Sequence, residues 1–100
     1  MRPDKRLIEE RFKEAIDAWV HDGRPMGHFL TAVLSNDLRE AIGRGDDAAI
    51  DNLPHIVAYL YNDCPSMCWG STERVDKWGE WIAVPENQTA ISRARKAGGF

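Results

Sequence analysis

The sequence predicts an all-α protein, a small compact bundle of about four to five helices with a packed loop that contains cysteine and tryptophan. Three observations support this fold class. Apolar residues recur at the helical spacing of about 100° per residue in four segments of the chain. No segment alternates with a period of two for more than a few residues, so strands are not expected. Glycine and proline separate the segments, as in turns between helices.

The first helix is predicted for residues 4–22, from an N-cap at Asp4 to a stop at Gly23. Its apolar side chains form one stripe: Ile8, Phe12, Ala15, Ile16, Trp19 and Val20. A turn over residues 24–27 leads to a second helix, predicted for residues 28–42 and ended by Gly43 and Gly45. Both helices are amphipathic, so we expect each to pack on other elements.

A third helix is predicted for residues 47–62, with Asp46 or Asp47 as its cap. Pro54 lies inside it and predicts either a kink or a break that makes Pro54 the first residue of a new helix. Opposite the apolar stripe lie three polar side chains, Asn52, His55 and Tyr59. They are expected to be exposed, either as ordinary solvated surface or as part of a second interface.

A loop over residues 63–70 is too apolar to lie in solvent, so we expect it to pack against the second helix. Ser71 is the predicted cap of a fourth helix over residues 72–81. Pro85 ends this pattern, and residues 1–84 are therefore predicted to form a single helical domain. Residues 85–100 are expected to form a short helix around residues 89–96 or a frayed tail.

Length and charge restrict the class of protein. One hundred residues are enough for one domain with its own core. The net charge is −3 with both signs mixed along the chain, so direct binding to nucleic acid is not expected. No apolar stretch approaches the ~20 residues that a bilayer requires, and no signal-peptide pattern begins the chain. These features predict no membrane partner and a cytoplasmic location.

Asp37 falls inside the apolar stripe of the second helix when residues are spaced by about 100°. The pattern therefore predicts a buried carboxylate, which needs a partner such as an arginine, a helix N-terminus or an indole N–H. Two roles stay open for it. Asp37 either fastens the 63–70 loop or belongs to a functional cleft. Asn36, at the edge of the stripe beside Glu40, fits either role.

The start of the fourth helix has the components of a small anion site. Trp69, Gly70, Ser71 and Thr72 offer a ring for stacking, a glycine, two hydroxyls and backbone N–H groups. Plain N-capping explains Ser71 and Thr72 equally well. His28, at the start of the second helix, is able either to bind an anion or to cover the turn.

The tryptophans are four in number, which is high for a chain of this length: Trp19, Trp69, Trp78 and Trp81. Most of this aromatic surface is expected in the core. Because three of the four lie between residues 69 and 81, one or two are expected at the surface, where tryptophan acts as an interface anchor.

Neither a metal nor a catalytic group is expected. Cys64 and Cys68 have three residues between them, whereas structural zinc sites commonly have two, and no second ligand pair follows. We expect them instead to pack as small buried thiols. A cysteine acting with His55 would lack a recognisable oxyanion signature. The chain also has no nucleotide-hydrolase motif, no H-E-x-x-H and no G-x-S-x-G. The sequence therefore predicts no enzyme and no cofactor.

Four motifs occur in order along the chain: Gly23-x-Pro25-x-Gly27-x-Phe29-Leu30, Ala32-Val33-Leu34-x-Asn36-Asp37-Leu38, Ile56-Val57-x-Tyr59-Leu60-Tyr61-Asn62 and Pro65-x-x-Cys68-Trp69-Gly70-Ser71. In these motifs the chain resembles a family of small proteins encoded by tailed bacteriophages and prophages, over about residues 15–82. The resemblance implies a phage accessory protein that works in the cytoplasm of an infected bacterium. Short phage proteins of this kind often bind and block a host component, and several families take up nucleotide signals of host immunity.

Binding is therefore favoured over catalysis. We expect the protein to act in counter-defence by sequestering an anionic, nucleotide-type immune signal. The expected ligand contacts are His28, Asn36, Asp37, Trp69, Ser71 and Thr72. An inhibitor that binds a host protein is the main alternative, and a small hydrolase is a further one. A small homo-oligomer is expected, because self-association builds a ligand site between protomers and covers exposed tryptophan.

Overall fold

Six α-helices and two 3-10 turns make up the computed structural model, which describes residues 2–96. The helices are α1 (Glu10–Asp22), α2 (His28–Leu34), α3 (Leu38–Arg44), α4 (Asp47–Asp63), α5 (Thr72–Ile82) and α6 (Pro85–Lys96). Within that range no strand occurs, so the predicted all-α class is confirmed. The number of helices exceeds the predicted four to five. The part of the expected C-terminal tail that falls on residues 97–100 lies outside the described residues.

The N-terminus differs from the predicted long helix. Asp4 caps a 3-10 turn, Lys5–Leu7, and α1 begins only at Glu10. The amide of Asn52 explains the interruption: its Oδ1 accepts a hydrogen bond from the Glu9 N–H at 2.9 Å, and its Nδ2 donates to the Leu7 carbonyl at 3.0 Å. Asn52 is therefore buried rather than exposed, because the N-terminal segment crosses over it.

The predicted end of α1 is confirmed. Gly23 follows the helix with a φ of +69°, in the left-handed region that glycine enters without strain. A Cβ at this position would lie 2.6 Å from Cγ2 of Ile82 on α5. Gly23 thus serves both the turn and the close approach of α1 to α5.

The predicted second helix is two helices. The chain leaves α2 after Leu34, Asn36 adopts a φ of +59°, and α3 begins at Leu38. Ser35, Asn36 and Asp37 carry short polar side chains, which compete with the helical backbone for hydrogen bonds and favour caps and turns. The apolar periodicity continues across this break and conceals it.

The third predicted helix is confirmed as α4, which runs through Pro54, so the break that was one of the two expected alternatives does not occur. Its supposed polar face is covered rather than solvated. Tyr59 is only 4% exposed, and His55 is half-buried with its Nδ1 accepting a hydrogen bond from the Asp4 N–H at 3.2 Å. The N-terminal segment packs over this side and Arg95 of α6 reaches Tyr59, which apolar spacing alone does not reveal.

The 63–70 loop is packed, as predicted. Cys64 and Cys68 are buried free thiols. The Gly70 N–H donates to the carbonyl of Leu34 at 2.6 Å, and the Trp19 indole donates to the carbonyl of Cys68 at 3.4 Å. The loop therefore rests on the C-terminal end of α2 and on α1. The core around it is made of side chains from several helices, among them Ile16, Leu34, Ile56, Leu60 and Ile82.

The last two helices follow their local signals closely. Ser71 caps α5, since its Oγ accepts a hydrogen bond from the Arg74 N–H at 3.1 Å. Pro85 does not end the helical region but is the first residue of α6, a position that needs no N–H. The side-chain amides of Asn87 and Gln88 donate to carbonyls at the end of α5, and Ile91 enters the core.

Candidate functional site

Three of the six expected ligand contacts meet in one cleft of about 290 Å³ between α2, α3 and the start of α5. His28, Asp37 and Thr72 line it together with Glu40. We call it the acidic cleft because it contains two carboxylates. Of these, Glu40 pairs with Arg44 at 3.2 Å. The charge of this cleft is poorly matched to an anionic ligand.

Asp37 itself is exposed, so the predicted buried carboxylate is wrong. Its side chain caps α3 and accepts a hydrogen bond from the Glu40 N–H at 3.2 Å. The error arises from extending one helical period through a break. The spacing Asp37-x-x-Glu40 after Ser35-Asn36 is a helix-start signal that reveals the break in the sequence.

Asn36 and Ser71 do not join the acidic cleft as ligand contacts. Asn36, held in its left-handed turn, borders a crevice of about 80 Å³ between α3 and α4. The hydroxyl of Ser71 is engaged as the cap of α5. The Gly70 N–H, one of the backbone donors expected at this helix start, is engaged by Leu34.

Trp69 lies in a different cleft, of about 410 Å³, which we call the aromatic cleft. Its lining residues are Tyr61, Cys64, Ser66, Trp69, Gly70 and Arg74. Tyr61 is 79% exposed at the last turn of α4, and Trp69 is half-buried. The cleft therefore joins two aromatic side chains and one guanidinium group.

The guanidinium of Arg74 is held by the loop rather than by a carboxylate. Its Nη1 donates to the carbonyl of Ser66 at 3.2 Å, and within residues 2–96 no ion pair includes Arg74. Gly70 permits this arrangement: its φ is +111°, and a Cβ there would lie 3.3 Å from Nη1 of Arg74. The positive charge of Arg74 is consequently available to a ligand.

Sequence reasoning placed Trp69 at a binding site but missed Tyr61 and Arg74. Tyr61 falls within the predicted third helix, and no local pattern distinguishes it from ordinary surface; it lies in the last turn of α4 and is 79% exposed. Arg74 did carry a signal, since a basic residue in the first turn of a helix is disfavoured by the helix dipole. Its position beside Trp69 depends on the turn at Gly70.

The thiols are poorly suited to nucleophilic chemistry. Burial raises the pKa of Cys64 well above its usual value and that of Cys68 to about 12. A thiol that stays neutral is a weak nucleophile. Among residues 2–96 no group of three or more histidine, cysteine or acidic side chains is arranged to hold a metal ion.

A polar network that the sequence did not reveal joins α1, α4 and α6. The Tyr59 hydroxyl donates to Asp17 Oδ1 and accepts from Arg95 Nη2 at 3.3 Å. Arg95 Nη1 lies 3.5 Å from Asp17 Oδ1, and Lys13 pairs with Asp17 at 3.3 Å. Burial and the hydrogen bond to Asp17 raise the pKa of Tyr59 above its usual value. Hydrogen bonds and ion pairs link its members to one another, which is typical of a structural network.

No helix within residues 2–96 has the length and apolar character that a bilayer-spanning segment needs. Comparison of the chain with protein-family models, with curated proteins and with solved structures finds no match.

Proposed function

We propose that the protein binds a small anionic ligand with a planar ring, of nucleotide type, in the aromatic cleft. The observation that carries this proposal is the guanidinium of Arg74 beside Tyr61 and Trp69. Arginine recognises phosphate through paired N–H groups, and exposed aromatic rings stack on nucleobases. The volume of about 410 Å³ falls in the range of small-molecule sites.

The biological role that we propose follows from the resemblance of residues 15–82 to proteins of tailed phages. In that setting the protein acts in counter-defence in the host cytoplasm, by sequestering a nucleotide-type immune signal without converting it. The raised pKa values of Cys64 and Cys68 agree with binding rather than covalent catalysis.

The structure changes the set of residues that we propose as contacts. Tyr61, Trp69 and Arg74 form the cleft surface, and Ser71 supports it by capping α5. His28, Asp37 and Thr72 lie in the acidic cleft, where two carboxylates oppose an anion. We therefore expect substitutions in the acidic cleft to affect nucleotide affinity much less than substitutions in the aromatic cleft.

Calorimetric titration with linear and cyclic adenine and guanine nucleotides tests this proposal. Arg74→Gln and Trp69→Ala are each expected to weaken binding by about tenfold or more, because each removes one of the two kinds of contact. Arg24→Gln is the matched control, since Arg24 is an exposed arginine that lies beside Asp22 and does not line the aromatic cleft. The affinity of this variant for the nucleotide should equal that of the parent protein.

Two results would overturn the proposal. One is the absence of binding to every nucleotide in the panel; the other is binding that Arg74→Gln and Trp69→Ala leave unchanged. Chromatography of the nucleotide after the titration adds a further check. Conversion of the ligand to a product would replace sequestration with the hydrolase alternative.

A second candidate function, inhibition of a host protein, is favoured by an apolar surface on α3 and α4. Leu38 is 66% exposed there, and Ile42, Val57 and Tyr61 are exposed as well. Exposed apolar groups of this size often mark interfaces. Recovery of one host protein at fixed stoichiometry, lost in Leu38→Glu, together with absence of nucleotide binding, would favour this function.

The same α3–α4 surface is the one through which we propose that a small homo-oligomer forms. Light scattering coupled to size-exclusion chromatography measures the oligomeric state directly. We expect the parent protein to elute as an oligomer and Leu38→Glu to elute as a monomer, because a buried unpaired carboxylate opposes association. A monomeric parent protein would contradict the expectation.

A further inference from the structure

An apolar concavity of about 520 Å³ lies between α5, α6 and the 3-10 turn Ser66–Cys68, apart from the two clefts described above. We call it the tryptophan groove. Its apolar lining consists of Pro65, Met67, Trp78, Trp81, Ile91 and Ala94, none of which borders the aromatic cleft. Met67 is 71% exposed and Trp81 is 41% exposed. Large apolar side chains thus remain in contact with water along a concave surface.

The two tryptophans provide a flat aromatic surface in this groove. The ring centroids of Trp78 and Trp81 are 5.0 Å apart, with an angle of 41° between the planes. Trp78 is only 5% exposed and is fixed in the core, whereas Trp81 is open to solvent. One rigid ring and one accessible ring suit a planar aromatic ligand. The ring of such a ligand would be attracted to the open face or edge of Trp81, as aromatic rings are in tilted or offset pairs.

The indole N–H of Trp78 gives a second, independent observation. This buried donor has no hydrogen-bond partner among the described residues. Buried indole groups are normally satisfied, as that of Trp19 is by the carbonyl of Cys68. Because this N–H is itself covered, an acceptor atom of a ligand in the groove would supply the missing partner once the side chains around it move aside.

The charges around the groove indicate the net charge of its ligand. Lys77 and Glu80 are the two charged residues that line it, and they have opposite signs. The ammonium of Lys77 already pairs with Glu73 at 2.8 Å. The groove therefore has no net charge to offer, in contrast to the aromatic cleft with its guanidinium.

From these observations we propose that the tryptophan groove is a binding site for a small, uncharged aromatic molecule that carries a carbonyl or hydroxyl acceptor. The ring lies against Trp81 and Met67, and the acceptor approaches the Trp78 indole N–H. The volume of about 520 Å³ matches small-molecule sites, and the mainly apolar lining with one polar group is the usual composition of such sites. This site is independent of the nucleotide-type ligand proposed above.

A set of three naphthalenes tests the proposal by nuclear magnetic resonance of the 15N-labelled protein. The probes are 2-acetylnaphthalene, which has an acceptor; 2-ethylnaphthalene, which has the same shape without one; and the anion 2-naphthoate. We expect the acetyl compound to bind about threefold to tenfold more tightly than the ethyl compound, as one hydrogen bond to a buried donor provides. Only the acetyl compound should move the Trp78 indole N–H signal downfield.

Three variants in the groove locate the site, and a fourth in the aromatic cleft is the control. Trp81→Ala is expected to weaken the binding of both neutral probes by about tenfold. Met67→Ala, at an exposed position, should weaken the binding of both by a smaller factor. Trp78→Phe retains a ring but removes the donor, so it should reduce the affinity for the acetyl compound to the affinity for the ethyl compound. Trp69→Ala, in the aromatic cleft, should leave all three affinities unchanged, which separates this test from that of the proposed function.

The proposal is overturned if neither neutral probe binds, if 2-naphthoate binds best, or if the acetyl and ethyl compounds bind equally well. Equal loss of affinity in Trp69→Ala and Trp81→Ala would overturn it as well, because the probes would then occupy another surface. Thermal unfolding of each variant confirms that the fold is retained. Should Trp78→Phe fail to fold, Met67→Ala and the shift of the Trp78 signal in the parent protein decide the outcome.

Discussion

Tyr59 and Tyr61 are two residues apart on α4 and have opposite surroundings. Tyr59 is buried, and its hydroxyl binds Asp17 on one side and Arg95 on the other. Tyr61 is exposed, and within the described chain its hydroxyl has no hydrogen bond. Each tyrosine also lies near an arginine, but Arg95 pairs with Asp17, whereas the guanidinium of Arg74 donates to a backbone carbonyl and forms no ion pair within residues 2–96.

We therefore assign stability to the surroundings of Tyr59 and the proposed ligand binding to those of Tyr61. In the network of Asp17, Tyr59 and Arg95, the protein's own groups supply the hydrogen bonds and charges, so the network holds three helices together. In the aromatic cleft, a ring and a guanidinium remain open to solvent. Substitutions in the network should therefore change the free energy of unfolding, and substitutions in the cleft should change affinity.

The contribution of Tyr59 and its network to the free energy of unfolding should be most apparent at alkaline pH. Because the pKa of Tyr59 is raised in the folded state, the folded protein holds the phenolic proton more tightly than the unfolded protein does. Its contribution is complete below the ordinary pKa of about 10 and is lost as the pH rises towards the folded pKa. In that window the group lowers the free energy of unfolding by about 1.4 kcal/mol per pH unit. The buried thiols Cys64 and Cys68 add to this loss.

Urea unfolding of the parent and of Tyr59→Phe, at several pH values above about 10, measures this contribution. The variant should lose stability less steeply with pH, because phenylalanine has no proton to release. Equal slopes for the two proteins would mean that the Tyr59 hydroxyl is not held as the structure shows.

Removal of Asp17 should have the largest effect at neutral pH. Asp17→Ala removes the acceptor of the Tyr59 hydroxyl and the carboxylate on α1 that pairs with Arg95, so the free energy of unfolding should fall by about 2–3 kcal/mol. Glu14→Ala is the control, since Glu14 is exposed on the same helix. Chemical denaturation of both variants decides the matter: equal losses would remove the distinction between the network and ordinary surface.

Deletion of a single hydroxyl compares the two tyrosines directly. Tyr59→Phe at neutral pH should lower the free energy of unfolding by about 1–2 kcal/mol, because two charged partners lose their shared hydrogen-bonding group. Tyr61→Phe should change it by less than about 0.5 kcal/mol, as is usual at an exposed position. Thermal and urea unfolding should agree on this order, and the reverse order would contradict the assigned burial.

Asp37 is expected to have a smaller effect than either network residue. Asp37→Ala removes the cap of α3 and should cost about 1 kcal/mol, the usual value for an N-cap. Asp37→Asn, which still accepts the Glu40 N–H, should cost only a few tenths of this. Urea unfolding distinguishes the two. A loss well above 2 kcal/mol in Asp37→Asn would restore the buried carboxylate that the sequence predicted.

The smallest effect on stability belongs to the cleft. Arg74→Gln removes an exposed guanidinium, so the free energy of unfolding should stay within about 0.5 kcal/mol of the parent value. Calorimetry on the same sample should show the loss of nucleotide affinity described above. Destabilisation of the kind expected for Asp17→Ala would assign Arg74 a structural role instead.

The fold class could be predicted from the helical spacing of apolar residues. The end of α1 and the cap of α5 could be predicted because Gly23 and Ser71 act through neighbouring residues. The break after Leu34 could not be predicted from periodicity, since Leu38 continues the apolar pattern and yet is turned out to solvent. The burial of Tyr59 depends on Arg95, 36 residues further along the chain, which no local pattern reports.

The candidate site was predictable only in part, for the same reason. Trp69 stood out because an aromatic residue before a capped helix start is a recognisable local pattern. Tyr61 and Arg74 come together with it only through the turn at Gly70 and the docking of the loop on α2. Separately, neither residue type at its position distinguishes a cleft from ordinary surface.

The hydrogen bond between the Gly70 N–H and the Leu34 carbonyl sets a limit on engineering this protein. In an uninterrupted helix that carbonyl would accept from the N–H of Leu38, four residues on. Replacing Ser35, Asn36 and Asp37 by strong helix formers, a common way to gain thermostability, would offer the carbonyl this local partner. The loop would then lose its support beside Trp69. A more regular helix at this position would therefore be selected against wherever the cleft is needed.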